Sequence, residues 1–293
     1  MTKEESLPSG YRKIKLSNGY TVSYIDEGKG AQTIVFIHGL ANYSGTWAKN
    51  IEGLKHSSRC IAIDLPGNGY SEKPDTTYNI QFYAACVYDF IRLLNLKNVV
   101  LCGHSMGGQI AITLLLNAPD AAQKLVLCAP AGFERFNLFE KTMYRSVVSI
   151  ADLFSSEESS LRNSIYSSFY QNPSQADGMI DDMVQILRSY PARIYRKMVE
   201  SSIDGMLNEP VYERLGEISI PVLVIFGALD ALIPNKLLHP VSTEQLAREA
   251  IAKMADARLE MVPFAGHFVQ WEKAAVVNKL ITSFLEGEML QDQ

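Results

Sequence analysis

Short uninterrupted apolar runs alternate with longer segments of helical period along most of the chain. Thr33–Ile37, Cys60–Ile63, Val99–Cys102, Leu125–Cys128, Val222–Phe226 and Leu259–Val262 read as buried strands, each followed within two residues by glycine, proline or a polar residue. Between them, Ile80–Leu94, Met106–Leu116, Thr243–Met254 and Ala274–Leu285 repeat apolar residues every three to four positions, which predicts amphipathic helices. Tyr11–Leu16 and Tyr20–Ile25 flank Asn18-Gly19, a pair that favours a two-residue hairpin turn. Strands alternating with helices make βαβ units. The expected fold is therefore α/β, a mostly parallel doubly wound sheet with right-handed crossovers and helices on both faces.

One interval breaks the alternation. From Phe133 to Leu215 there is no strand pattern, only helical stretches at Leu138–Leu153, Ile180–Leu187 and Ile194–Met206. Phe and Tyr supply 11 of the 80 residues from Phe133 to Tyr212, which is denser than the 10% aromatic content of the whole chain. Two compatible readings follow: a helical subdomain with its own core, or a lid whose aromatics wall an apolar pocket. Ser155–Ser160 reads as a solvated loop. The expected organisation is a core of residues 1–132 and 216–293, with a helical cap of residues 133–215 inserted after the sixth strand.

Composition narrows the class of protein. A chain of 293 residues with 47% hydrophobic and 20% charged positions fits a globular protein and no disordered or fibrous class. The net charge of −5, without Lys/Arg clusters, predicts no nucleic-acid or anionic-membrane partner. No apolar run approaches the roughly 18 residues of a membrane span. The polar, acidic start Met1–Ser6 lacks the apolar stretch of a signal peptide, so a cytoplasmic location is expected. Four cysteines without a C-x-x-C pair predict neither a disulfide framework nor zinc, and no metal or organic cofactor is expected.

The sharpest chemical signal is Gly103-His104-Ser105-Met106-Gly107-Gly108, directly after one predicted strand and at the start of a helix. A serine in G-x-S-x-G at a strand–helix turn is a nucleophile elbow. Its hydroxyl projects at a helix N-terminus, where free N–H groups favour a developing anion. Serine needs a base and an orienting acid. Of the five histidines, His267 follows the strand Leu259–Val262 on a loop at the sheet's C-terminal edge, where doubly wound sheets hold their sites. His104 is expected to point away from Ser105. Asp230, just past Val222–Phe226, holds the matching position for the acid. The alternative position after Leu125–Cys128 reads Ala129-Pro130-Ala131-Gly132 and offers no carboxylate before Glu134.

At these residues the chain resembles the α/β-hydrolase superfamily over nearly its whole length, in the serine-nucleophile branch with a helical cap. The order Ser105, Asp230, His267 is that family's order. His38-Gly39-Leu40 is similar to its loop after the third strand, which implies Leu40 and Met106 as the backbone donors of an oxyanion hole. Asp64–Ser71 is similar to its D-x-P-G-x-G-x-S loop, with an implied structural role. Serine in place of aspartate at the elbow sets the chain apart from haloalkane dehalogenases and epoxide hydrolases.

Ser105–Gln109 with Ala129–Gly132 resembles esterases and monoacylglycerol-lipase-like acyl hydrolases, which implies hydrolysis of a small-molecule apolar ester. Gly266–Glu272 also resembles the carbon–carbon bond hydrolases of meta-cleavage pathways, in which Arg188 or Arg193 of the cap would hold a carboxylate. A non-catalytic ligand-binding protein on the same fold is the third alternative. The oligomeric state is not legible in the sequence.

Overall fold

The computed structural model describes residues 7–150, 158–171 and 173–287, with side chains described outside 147–150 and 173. Eight strands form one sheet: β1 (Tyr11–Lys15), β2 (Thr21–Glu27), β3 (Thr33–Ile37), β4 (Arg59–Ile63), β5 (Val99–His104), β6 (Lys124–Cys128), β7 (Val222–Gly227) and β8 (Ala257–Val262). Their spatial order is β1-β2-β4-β3-β5-β6-β7-β8. The β1–β2 and β2–β4 pairs are antiparallel, and every later pair is parallel.

The first hairpin differs from its expected form. Leu16 N–H donates to Tyr20 O at 2.8 Å, and Gly19 N–H donates to Leu16 O at 2.9 Å, which leaves a three-residue loop, Ser17–Gly19. Gly19 takes φ +91°, and Asn18 Oδ1 accepts from Tyr20 N–H instead of leading a two-residue turn.

The helices are α1 (Ala48–Leu54), α2 (Ile80–Leu93), α3 (Met106–Asn117), α4 (Leu138–Ile150), α5 (Glu158–Tyr166), α6 (Asp177–Ser189), α7 (Ala192–Asn208), α8 (Thr243–Ile251), α9 (Val269–Glu272) and α10 (Ala274–Glu286). Asn79 caps α2 by accepting from Phe82 N–H at 2.8 Å, and Ser242 caps α8 through Gln245 N–H at 3.0 Å.

Strand alternation sorts the core into two layers. Ile34 and Phe36 of β3 face one side with Val100 and Cys102, covered by Ile51 and Leu54 of α1 and Ile281 and Phe284 of α10. Val35 and Ile37 face the other side, under α2, α3 and α8. Burial on both faces is why these strands read as continuous apolar runs. All four cysteines are buried and free, as small hydrophobes in the two layers.

Helices α4–α7 lie between β6 and β7 and form a helical cap after the sixth strand. Ile180, Met183, Val184, Met198, Val199 and Ile203 are buried in a layer continuous with the core under α2 and α3. Among the described residues the cap therefore shares the sheet's core and shows none of its own. Part of the Ser155–Ser160 stretch is corrected: Glu158–Ser160 is the first turn of α5, where Glu158 pairs with Arg162 one turn on. Residues 155–157, and 151–153 of the expected first cap helix, lie outside the described residues.

Candidate active site

Ser105 joins β5 to α3 with φ +53° and ψ −120°, a conformation that costs a side-chain-bearing residue energy. Its surroundings hold it there. Ser105 N–H donates to Cys128 O at 3.1 Å, while Ser105 O accepts from Gly108 N–H at 2.9 Å and Ala131 N–H at 3.0 Å. The flanking glycines are sterically required. A Cβ on Gly103 would fall 2.4 Å from Gly107 O, and one on Gly107 would fall 2.3 Å from Ile37 O. The elbow is thus wedged between the ends of β3 and β6.

Asp230 lies past β7 and His267 past β8. His267 Nδ1 donates to Asp230 Oδ2 at 2.9 Å, with both side chains buried. The second oxygen, Asp230 Oδ1, accepts from Leu232 N–H at 2.8 Å and Ile233 N–H at 3.0 Å, so both lobes of the carboxylate are fixed. Ser105, His267 and Leu40 line one cavity of about 720 Å³. The loop after β3 lies against the elbow: a Cβ on Gly39 would be 3.2 Å from Ser105 Cβ. Met106 is the first residue of α3, and its N–H is one of the four that a helix N-terminus leaves without an intrahelical partner.

Of the other four histidines, His56 is exposed in the turn after α1, and three have partners. His38 Nδ1 donates to Gly39 O at 2.8 Å and its Nε2 accepts from Leu65 N–H at 3.1 Å, which fixes its tautomer. Burial pulls its pKa down to about 4. His104 does not simply point away. Its Nε2 donates to the His267 carbonyl at 3.0 Å, and the two rings lie 4.9 Å apart. Burial first, and then the neighbouring His267, hold it well below its ordinary value. His239 Nδ1 donates to Glu134 Oε1 at 2.8 Å, so the first carboxylate after β6 serves His239 and not His267. Asp64 accepts from Ser44 and Tyr70 N–H groups at 2.6 and 2.8 Å in a fully buried loop, and burial raises its pKa to about 6.

The cavity wall differs from the aromatic lid that composition suggested. Phe136, Tyr144 and Tyr212 line it from the cap, but so do the non-aromatic Ile165, Met183, Leu187, Ile203, Met206 and Leu207. Tyr190 and Tyr195 are buried elsewhere in the cap, edge to face. Arg188 pairs with Glu158 and Arg193 with Asp75, and neither lines the cavity. The cations that do are Arg135, Lys141 and Lys236. Sequence reasoning also missed Gln109, whose Nε2 ties the elbow helix to the Met206 and Glu209 carbonyls at the end of α7. No cluster of metal-ligating side chains occurs among the described residues, and no helix among them is long and apolar enough to cross a membrane.

A family model described as alpha/beta hydrolase fold matches residues 32–274. The chain belongs to this family. It is 26% identical over 287 residues to the dihydrolipoyllysine-residue acetyltransferase component of the acetoin cleaving system of Cupriavidus necator, covering 97% of this chain and 71% of that one. The corresponding component of Pseudomonas putida is spanned over 64% of its length.

At 28% identity, over 89% of each chain, it is similar to a 2-hydroxy-6-oxononadienedioate/2-hydroxy-6-oxononatrienedioate hydrolase of Cupriavidus pinatubonensis. Among solved structures, an esterase from Exiguobacterium antarcticum superposes with a TM-score of 0.78 at 21% identity, over 94% of this chain and 98% of that one. The proteins this chain is similar to thus include a hydrolase of 2-hydroxy-6-oxononadienedioate by sequence and an esterase by fold.

Proposed function

We propose that this alpha/beta hydrolase cleaves carboxylic esters of small to medium apolar acyl groups, with Ser105 as nucleophile, His267 as base and Asp230 as the orienting acid. The observation that carries the reading is the 2.9 Å Asp230–His267 bond at the wall of the cavity that Ser105 enters from a strained elbow.

Ser105 Oγ attacks the ester carbonyl carbon as His267 Nε2 takes its proton. Asp230 keeps the opposite nitrogen protonated and stabilises the imidazolium. The carbonyl oxygen, now an anion, lies between the N–H groups of Leu40 and Met106, each of which contributes about 3 kcal/mol to the transition state. His267 gives the proton to the leaving alcohol, and an acyl-enzyme remains. Water then attacks the acyl carbon with His267 again as base, which releases the carboxylic acid and restores Ser105.

The cavity of about 720 Å³ has the liquid volume of roughly two dozen waters, enough for a medium acyl or aryl ester. The cap, residues 133–215 of the expected division, forms its apolar wall and acts as its lid over a core of residues 1–132 and 216–293.

A p-nitrophenyl ester series from acetate to palmitate, with Ser105→Ala as blank, tests the reading. Serine-dependent turnover with an optimum chain length supports it, and turnover equal to the blank across the series refutes it. Arg135, Lys141 and Lys236 at the cavity favour one second reading, carbon–carbon hydrolysis of a substrate with a carboxylate tail. A vinylogous diketone acid is its test substrate.

A further inference from the structure

The backbone of His267 is held as firmly as its side chain. Its N–H donates to Ser168 O at 3.0 Å, and its carbonyl accepts from His104 Nε2 at 3.0 Å. Ser168 belongs to the cap, in the turn that follows α5. On either side the two segments are fastened again. Glu272 Oε1 accepts from Gly266 N–H at 2.9 Å, and its Oε2 accepts from Tyr170 N–H at 3.0 Å. Phe169 stacks on Phe268, with centroids 4.7 Å apart and planes 4° from parallel. The approach is backbone to backbone, since a Cβ on Gly266 would fall 2.7 Å from Tyr170 N.

From these contacts, and resting on the assignment of His267 as base, we infer that Glu272 is a positioning residue: its carboxylate splints cap residues 168–170 to the histidine loop 266–268, so that docking of the cap sets the place of the imidazole. A carboxylate suits this task because it offers an acceptor oxygen to each of two N–H groups, and charged acceptors make the stronger bonds. Phe169, Tyr170 and Glu272 do not line the substrate cavity. They reach it only through Ser168 and Phe268, which do line it, so an effect on kcat with KM unchanged is one transmitted through the loop.

The test compares Glu272→Gln, Phe169→Ala and the double variant with wild type, Ser105→Ala and His267→Ala. Kinetics on the best p-nitrophenyl ester are measured beside the rate at which a fluorophosphonate labels Ser105. Glutamine keeps the shape of Glu272 but turns an NH2 toward one of the two N–H donors. Displacing the base by a fraction of an ångström lowers kcat and the labelling rate together by about 10-fold, with KM within about twofold. Phe169→Ala lowers kcat in the same direction, and the double variant loses less than the product of the single losses.

Wild-type kcat and labelling in Glu272→Gln, beside an inactive His267→Ala, overturn the splint alone. So do losses in the double variant that simply multiply. If Glu272→Gln does not fold, unchanged kcat in Phe169→Ala overturns the splint. Undiminished turnover in His267→Ala overturns the base assignment itself, and the role of Glu272 with it.

Discussion

Ser105→Gly is expected to make the protein more stable while abolishing its proposed activity. The Ser105 backbone lies at φ +53°, ψ −120°, a region that glycine tolerates and a Cβ-bearing residue does not. Such a conformation stores about 1–3 kcal/mol. Glycine removes that strain but adds about 0.4–1 kcal/mol of unfolded-state entropy, leaving a net gain on the order of 1 kcal/mol. The backbone bonds from Ser105 N to Cys128 O, and from Gly108 N and Ala131 N to Ser105 O, do not involve the side chain and persist in the variant.

Ser105→Ala is the control, because it loses the hydroxyl and keeps the Cβ and therefore the strain. For a chain of 293 residues, 1 kcal/mol moves Tm by about 1.5 °C. Thermal and urea unfolding of both variants should place Ser105→Gly about 1.5 °C above Ser105→Ala. Equal or lower stability of Ser105→Gly would show that the elbow is not strained, and the argument from its geometry would fail.

Three further outcomes are expected. Asp230→Asn leaves one oxygen for the Leu232 and Ile233 N–H groups and turns an NH2 toward His267, so kcat on the ester should fall about 10³–10⁴-fold, measured at the pH optimum. Gly107→Ala puts a methyl 2.3 Å from Ile37 O and 2.6 Å from His38 O; both are backbone atoms at the end of β3, so the urea midpoint should fall by the equivalent of about 3 kcal/mol or more.

The third outcome is a pH dependence. Burial raises Asp64 from 3.8 to about 6, so its contribution to stability falls as pH rises from about 4 to 6. Burial lowers His38 from 6.5 to about 4, so its contribution is lost as pH falls through the same window. Each slope is worth about 3 kcal/mol, and they oppose each other. Buried His104, also held low, adds to the His38 side, so the comparison with wild type isolates Asp64. Asp64→Asn should lose about 3 kcal/mol more stability than wild type between about pH 6 and 4, measured by urea unfolding.

Strands β3–β7 were legible because, buried on both faces, they are continuous apolar runs; α2, α8 and α10 were legible because each buries one stripe, and α3 because it is apolar and buried almost all round. Helix α5 was not, because Ser159, Ser160 and Ser164 dilute its apolar stripe to Leu161 and Ile165. Helix α1 is two turns long and gives too short a window for a period. Ser105, Asp230 and His267 stood out because each follows a strand end, where the topology leaves side chains free of the sheet. The hold on His267 was invisible for a physical reason. It is made by the carbonyl of Ser168, which carries no residue signature, and by Glu272, whose partners are backbone N–H groups, one of them at Tyr170, far away in sequence. His104 could have been suspected, since an imidazole inside the elbow must find a partner or be buried without one.

In the proposed mechanism the electrostatics around the elbow favour His267 as the destination of the Ser105 proton. His38, His104 and His267 follow or end β3, β5 and β8 and gather near the same turn. His38 is fixed between Gly39 O and Leu65 N–H, and His104 donates to a carbonyl; neither has a carboxylate partner among the hydrogen bonds described, and burial disfavours the charged form of both. Only His267 is given a carboxylate, Asp230, whose other oxygen is already committed to two backbone donors and so stays in place. A cation at His104, with its ring centroid 4.9 Å from that of His267, would oppose the imidazolium that the proposed mechanism forms there. Burying His104 therefore does two things at once: it keeps the neighbour of the proposed base neutral, and it turns that neighbour into a donor that pins the His267 carbonyl.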